Sequence, residues 1–237
     1  MRMLALFTLA VLSLAAAPCH ASGQEPVAQV TPFQRTRVER FLENRVACRG
    51  CHQIGGRGGQ IGPPLDGIRD RAQYDHVLRM ITDPAGTIVG TLMPRQRMPQ
   101  REAERLAAYI MTLPVVSNPT VAAAPQAPVA LPPGSEMDGA ALYARHCASC
   151  HGTDGRGDGW NAPNLPAPPA NHADAEAMSR RPDDTLYDGI AAGAFVLDGS
   201  PLMPAFADQL SPEQIRALVA HIRVLCQCEQ PAWARGD

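Results

Sequence analysis

The chain has 237 residues, 45% of them hydrophobic, 19% charged and only 5% aromatic, with a formal net charge of −2. At ~100–200 residues per domain that length suits one large or two small domains, and the apolar share is that of a folded chain rather than a disordered one. The near-neutral total lacks the basic footprint by which nucleic acid is held, and two Trp, four Tyr and five Phe are few to fill cores of this size.

In chain order, Met1–Ala21 reads as a secretory leader. Arg2 gives a positive end, Leu4–Ala17 an apolar run, and Cys19-His20-Ala21 a cleavage site before Ser22. The run is shorter than the ~20 residues that span a bilayer, so the mature chain is expected to be exported and periplasmic, with no membrane span. Cys19 also offers a lipoprotein-type attachment point, from whose usual pattern Pro18 departs. A first unit, residues 22–113, opens on Thr31-Pro32, an N-cap followed by proline at the first helical position, and its helix leads to Val46. Tyr74, Val77, Leu78 and Ile81 share one helical face, as do Leu106, Tyr109, Ile110 and Leu113. Residues 114–134, PVVSNPTVAAAPQAPVALPPG, carry no charge, and their prolines favour an extended linker. In a second unit, residues 135–228, Ser135-x-x-Asp138 starts a helix that ends near His146. Leu186 and Ile190 mark a short helix stopped at Gly193. Ser211-Pro212-Glu213-Gln214 resembles a capping box ahead of the stripe Ile215, Leu218, Val219, Ile222 and Leu225. Residues 229–237 form a tail. No run sustains strand alternation, so the expected fold is all-α with much loop.

Charge divides between the units. All 21 basic residues are arginine; residues 24–113 carry 13 Arg against 9 acidic residues, and residues 134–237 carry 7 against 14.

Two motifs carry the chemistry. Cys48-Arg-Gly-Cys51-His52 and Cys147-Ala-Ser-Cys150-His151 are C-x-x-C-H sequences, the spacing of c-type haem attachment. Two thiols on one tight turn add across the vinyl groups of a haem, and the next imidazole then lies under the iron. A structural zinc site wants four ligands together, and a thioredoxin-type pair wants a βαβ context. Neither accounts for a histidine in the fifth place twice. The sixth ligand is sought in Met93-Pro94 and Met203-Pro204, because a thioether is a soft ligand that suits electron transfer. Met98-Pro99 competes with Met93 in the first unit. Met80, Met111, Met137 and Met178 are expected to pack.

With both motifs in view, each unit resembles a class I cytochrome c domain, and the chain is similar to dihaem cytochromes c over nearly all of residues 33–113 and 135–225. The family pattern runs C-x-x-C-H, Gly-Pro-x-Leu, Met-Pro and a closing amphipathic helix. Here these are Cys48, Cys51, His52, Pro63 to Leu65, Met93 and the helix holding Tyr109. In the second unit they are Cys147, Cys150, His151, Pro163 to Leu165, Met203 and the helix holding His221. The spacing of Met93 from Tyr109 is similar to that in small bacterial members, which favours Met93 over Met98. The resemblance implies two covalently bound haem c groups, with His52, Met93, His151 and Met203 on iron. It also implies that the carbonyls of Pro63 and Pro163 accept from the other nitrogen of each haem histidine. Gly139 and Tyr143 resemble the family's contact between first and last helices, whereas Arg40 and Asn44 stand at the matching places of the first unit. His146 and His221 lie on helices; His76 and His172 are expected at the surface. For Cys226-Gln227-Cys228, mutual pairing, a bond to another subunit and metal capture all stay open.

The function expected is periplasmic transfer of single electrons between redox protein partners, the Arg-rich and acidic units docking different ones. Two alternatives stand beside it. One is a dihaem oxidoreductase acting on a small sulfur or nitrogen species or on peroxide, which needs an open iron site. The other is an electron-transfer subunit of a larger dehydrogenase or reductase.

Overall fold

The computed structural model describes residues 30–116, 130–197 and 199–236. The expected leader, and residues 117–129 of the linker, lie outside the described residues.

The first helix, α1, spans Pro32–Asn44 and begins where expected. Thr31 Oγ1 accepts from Gln34 N while Gln34 Oε1 accepts from Thr31 N, so two otherwise orphaned donors are satisfied reciprocally. Val38 and Leu42, four residues apart, are buried on one face. The one-turn helix α2, Cys48–Cys51, carries the first motif. Strands β1, Gln53–Ile54, and β2, Arg57–Gly58, then form a two-residue antiparallel hairpin. Its turn is tied by the Asp66 carboxylate, which accepts from Gly55 N at 2.8 Å and Gly56 N at 3.0 Å. Helices α3, Tyr74–Thr82, α4, Pro84–Thr87, and α5, Gln100–Ile110, complete the unit. Val77, Ile81, Leu106 and Ile110 join Val38 and Leu42 in one core.

The second unit holds α6, Gly139–His146, α7, Ala148–His151, α8, Ala175–Ser179, α9, Asp183–Ala192, and α10, Pro212–Cys226. Helix α6 starts later than the Ser135 signal implies. Asp138 is the cap, accepting from Ala140 N at 2.8 Å, while the Ser135 hydroxyl donates back to Pro132 O at 2.6 Å. Helix α9 stops at Gly193, whose φ of +85° disfavours a side chain. Helix α10 carries the expected capping box on Ser211 and Gln214. Arg223 locks α10 to its neighbours, donating to Asp183 Oδ1 and Met178 O, each at 2.8 Å. Cys226 and Cys228 are paired with each other, their Cα atoms 5.1 Å apart. That separation is ordinary for a disulfide, and Gln227 between them takes a left-handed φ of +50°.

The crossing of first and last helices differs between units. In the second, a Cβ on Gly139 would fall 2.2 Å from Ala217 O, so only glycine lets α6 lie directly on α10. Tyr143 is buried beside His221, ring centroids 5.1 Å apart. In the first, Arg40 and Asn44 are exposed. The crossing is made by Val38 and Leu42, flanked by polar pairs from Tyr109 Oη to Glu39 at 3.2 Å and from Arg37 to Glu102 at 2.8 Å.

The two units are pressed together. Arg97 pairs with Asp208, Arg145 donates to Gly90 O at 3.0 Å, and Gln209 Nε2 donates to Met93 O at 2.8 Å. The Arg45 guanidinium lies over the Phe195 ring.

Candidate functional site

Each motif sits on a short helical turn, entered from the helix before it, so that both cysteines and the histidine leave one small patch of backbone. His52 N donates to Cys48 O and His151 N to Cys147 O, closing each turn. The four cysteines are unpaired and half-buried. Burial pushes the Cys48 thiol up to about 11 and the Cys51 and Cys147 thiols up to about 12. An unmodified chain therefore presents protonated thiols there. Among the described residues no three His, Cys, Asp or Glu side chains converge as a metal site, whereas structural zinc gathers four.

The histidines are fixed by backbone. His52 Nδ1 lies 2.7 Å from Pro63 O. A carbonyl can only accept, so Nδ1 carries the proton and Nε2 keeps its lone pair free. Burial also holds the imidazole below its ordinary pKa, hence neutral. Gly62 lies against this ring: a Cβ there would be 2.3 Å from His52 Cε1.

In the second unit the same geometry uses the carbonyl of a different residue. His151 Nδ1 lies 2.9 Å from Ala170 O, so the expectation for Pro163 is corrected. Ala162–Asn164 fold into a 3-10 turn, which is closed by Asn164 N to Asn161 O and Leu165 N to Ala162 O. That turn holds Pro163 away from His151, and the chain reaches the imidazole only after Pro166, Pro168 and Pro169. His172 is a second correction. It is buried rather than exposed. Its ring stacks on His151 with centroids 4.2 Å apart, and its Nδ1 is hydrogen-bonded to Tyr143 Oη at 2.9 Å. Burial, then the neighbouring His151 and Arg181, press its pKa down to about 3.

Cys147, Cys150, His151 and Met203 line one cavity of about 490 Å³, walled by apolar groups that include Leu165, Leu197 and Phe206, with Arg181 beside them. The volume lies within the ~300–1,000 Å³ usual for small-molecule and cofactor sites. The Met203 loop is anchored to the end of α9, Phe206 N donating to Ile190 O and Ala207 N to Ala191 O. His146 also lines the cavity, edge-on to Phe206, with its Nδ1 buried and unpartnered. Apolar walls, an imidazole whose Nδ1 is engaged by Ala170 O, two thiols and a thioether are the donor set that a covalently attached haem requires.

The two first-unit methionines are used differently. Met98 packs against the first core. Met93 is half-buried at the junction of the units, its carbonyl held by Gln209. Of the first unit, Gly50, Cys51, Ile61, Leu92 and Pro94 reach across to line the second unit's cavity.

Both units match known sequence families. Residues 37–114 match the family described as cytochrome c, and residues 134–222 match that described as cytochrome c oxidase, cbb3-type, subunit III. A cytochrome c6 of Anabaena variabilis is 33% identical over 86 residues, 36% of this chain and 86% of that protein. The cbb3-type cytochrome c oxidase subunit FixP of Sinorhizobium medicae (strain WSM419) is 32% identical over 133 residues, 51% of this chain. This chain spans 41% of that relative's length. Among solved structures, the c-type cytochrome KustC0563 is 32% identical, with 37% of this chain and 96% of that one covered and a TM-score of 0.31.

Proposed function

We infer that this chain, which belongs to the cytochrome c family and carries two of its domains in tandem, moves single electrons between protein partners in an exported, oxidising compartment. The observation that carries this reading is the second cavity, where His151, its imidazole held below its ordinary pKa by burial, and the thioether of Met203 line the same space as the Cys147 and Cys150 thiols. When bound, each haem supplies a one-electron Fe(II)/Fe(III) couple. The protein's part is to attach it by Cys48 and Cys51 or Cys147 and Cys150. His52 and His151 would hold its iron through Nε2, with Met93 and Met203 as the second protein ligands. Methionine in that position would leave no place for a substrate on iron, which favours a carrier over an oxidoreductase on small molecules. Met98 is already engaged in packing, which supports Met93. The Cys226–Cys228 pair suits an oxidising compartment, as does the leader expected over Met1–Ala21.

A second reading has its own support. The likeness to an oxidase subunit over 133 residues favours service as an electron-transfer subunit within a larger assembly, and co-purification of a partner would separate it from a free shuttle.

The test is the charge-transfer band that marks methionine sulfur on ferric haem. Met93→Ala and Met203→Ala are each expected to remove one haem's share of it, and Met98→Ala to leave it whole. Loss of the band in Met98→Ala with retention in Met93→Ala would overturn the first-unit assignment.

A further inference from the structure

Asn161 belongs to neither motif and is fully buried. Its own backbone N–H donates to Ser149 O at 2.8 Å, fixing it to the second attachment turn. From there its side chain crosses to the other unit. Nδ2 donates to Gly50 O at 2.9 Å and to Cys150 Sγ at 3.3 Å, and Oδ1 accepts from Gln60 N at 2.8 Å. One amide group thus touches the second motif's cysteine sulfur and the backbone of the first motif, at the residue before Cys51. Both of its donors are used, as a buried amide requires.

The neighbourhood is built around the same contact. A Cβ on Gly50 would fall 2.2 Å from Leu202 O, the carbonyl next to Met203, so glycine is what lets the first motif approach this loop. Gln60 Nε2 donates to Asn164 Oδ1 at 3.3 Å. The neighbouring Cys150 is among the influences that raise the Cys51 thiol. The wall of the second cavity therefore contains the first attachment turn.

Building on the dihaem electron-transfer reading above, we propose that Asn161 clamps the two attachment turns edge to edge, so that the haems exchange electrons within the molecule along a route whose coupling this residue sets. The step moves one electron from the ferrous haem of one unit to the ferric haem of the other. No bond breaks and no proton moves. Asn161 is a positioning residue: it holds the turns in contact through hydrogen bonds, and covalent and hydrogen-bonded atoms conduct an electron better than a gap.

The test uses the full-length, haem-loaded protein. One haem is reduced by a short pulse of a small reductant, and redistribution between the haems is followed optically across a range of protein concentrations. The wild type is expected to equilibrate at a rate independent of concentration and to show a two-signed circular dichroism couplet in the Soret band. Asn161→Leu, close in volume but unable to make the bonds, is expected to weaken that couplet and slow the internal phase about tenfold, with both methionine–iron bands retained. Asn164→Ala, which removes only the outer Gln60 contact, should have a smaller effect. Equilibration that scales with protein concentration in the wild type would overturn the proposal without any variant. So would an unchanged internal rate in a folded Asn161→Leu protein. Either failure with two low-spin haems present leaves the dihaem reading standing, whereas absence of those haems removes both.

Discussion

The histidine-to-carbonyl bonds do the most at the scale of single residues. Pro63 O and Ala170 O accept from Nδ1, and that choice of tautomer is what leaves Nε2 able to ligate. A backbone carbonyl belongs to every residue, so its owner is not marked by residue type. Pro63 was legible only through the family pattern, and Ala170 was not legible at all. His172 misleads for a related reason: Asn171 and Asp174 beside it look like surface, yet its ring lies on His151. His146 supports a pH prediction. Burial, then the charge of Arg145, lowers its pKa from 6.5 to about 4. Above pH ~6.5 it is neutral in folded and unfolded chains alike and adds no slope. As pH falls toward about 4 the unfolded chain takes up a proton that the folded chain refuses, so stability declines. Below that value the folded chain binds it too and this contribution levels off. His146→Phe, which keeps a ring against Phe206, is expected to flatten that decline, read as the urea midpoint of the haem-loaded protein between pH 7 and 4. An equally steep decline in the variant would assign the acid sensitivity to other groups.

Helices carried the most readable signals because their ends are local chemistry. Thr31 with Gln34 and Ser211 with Gln214 satisfy orphaned N–H groups inside four residues, so capping needs no tertiary knowledge. The start of α6 was displaced from Ser135 to Asp138 because either side chain can accept at a cap, and only the fold decides which one is used. Packing between helices was half legible. Gly139 was visible as a close-approach position, whereas the first unit's substitute, Val38 and Leu42 with a polar rim from Glu39 to Tyr109, was not. The magnitudes at Gly139 give a prediction. Alanine gains up to about 1 kcal/mol over glycine in a helix, but its Cβ would meet the Ala217 carbonyl, a backbone atom that cannot rotate aside. Overpacking of this kind costs about 1–3 kcal/mol, so Gly139→Ala is expected to destabilise the second unit by roughly 1–2 kcal/mol in urea unfolding. A neutral or stabilising result would mean that α6 and α10 can slide apart at no cost.

Across the whole molecule, the net charge of −2 conceals an Arg-rich unit resting against an acidic one. Some of that opposition is met at the rim of the contact between the units, where Arg97 pairs with Asp208. An ion pair that exposed adds little, so the units are held mainly by buried contacts such as Asn161 and should stay docked in salt. Other charges stand exposed, among them Arg40 and Arg101 on the first unit and Asp184 and Glu213 on the second. Haem propionates would shift both units toward negative and leave the difference between them, so each haem edge would sit in a field of its own sign. Complementary fields raise encounter rates, and salt removes the advantage because screening acts over about 10 Å at 0.1 M. Small inorganic probes separate this from partner-specific contacts. Oxidation of the reduced protein by anionic ferricyanide is expected to slow as ionic strength rises, through the Arg-rich face. Oxidation by a cationic ruthenium ammine is expected to slow as well, through the acidic face. A near-neutral molecule with its charges evenly mixed would respond to neither. If internal exchange is fast, both probes drain both haems, so the two salt responses report which face admits each probe rather than which haem it oxidises first. Salt-insensitive rates for both probes would show that the two faces are only solvated and that partner choice rests on shape.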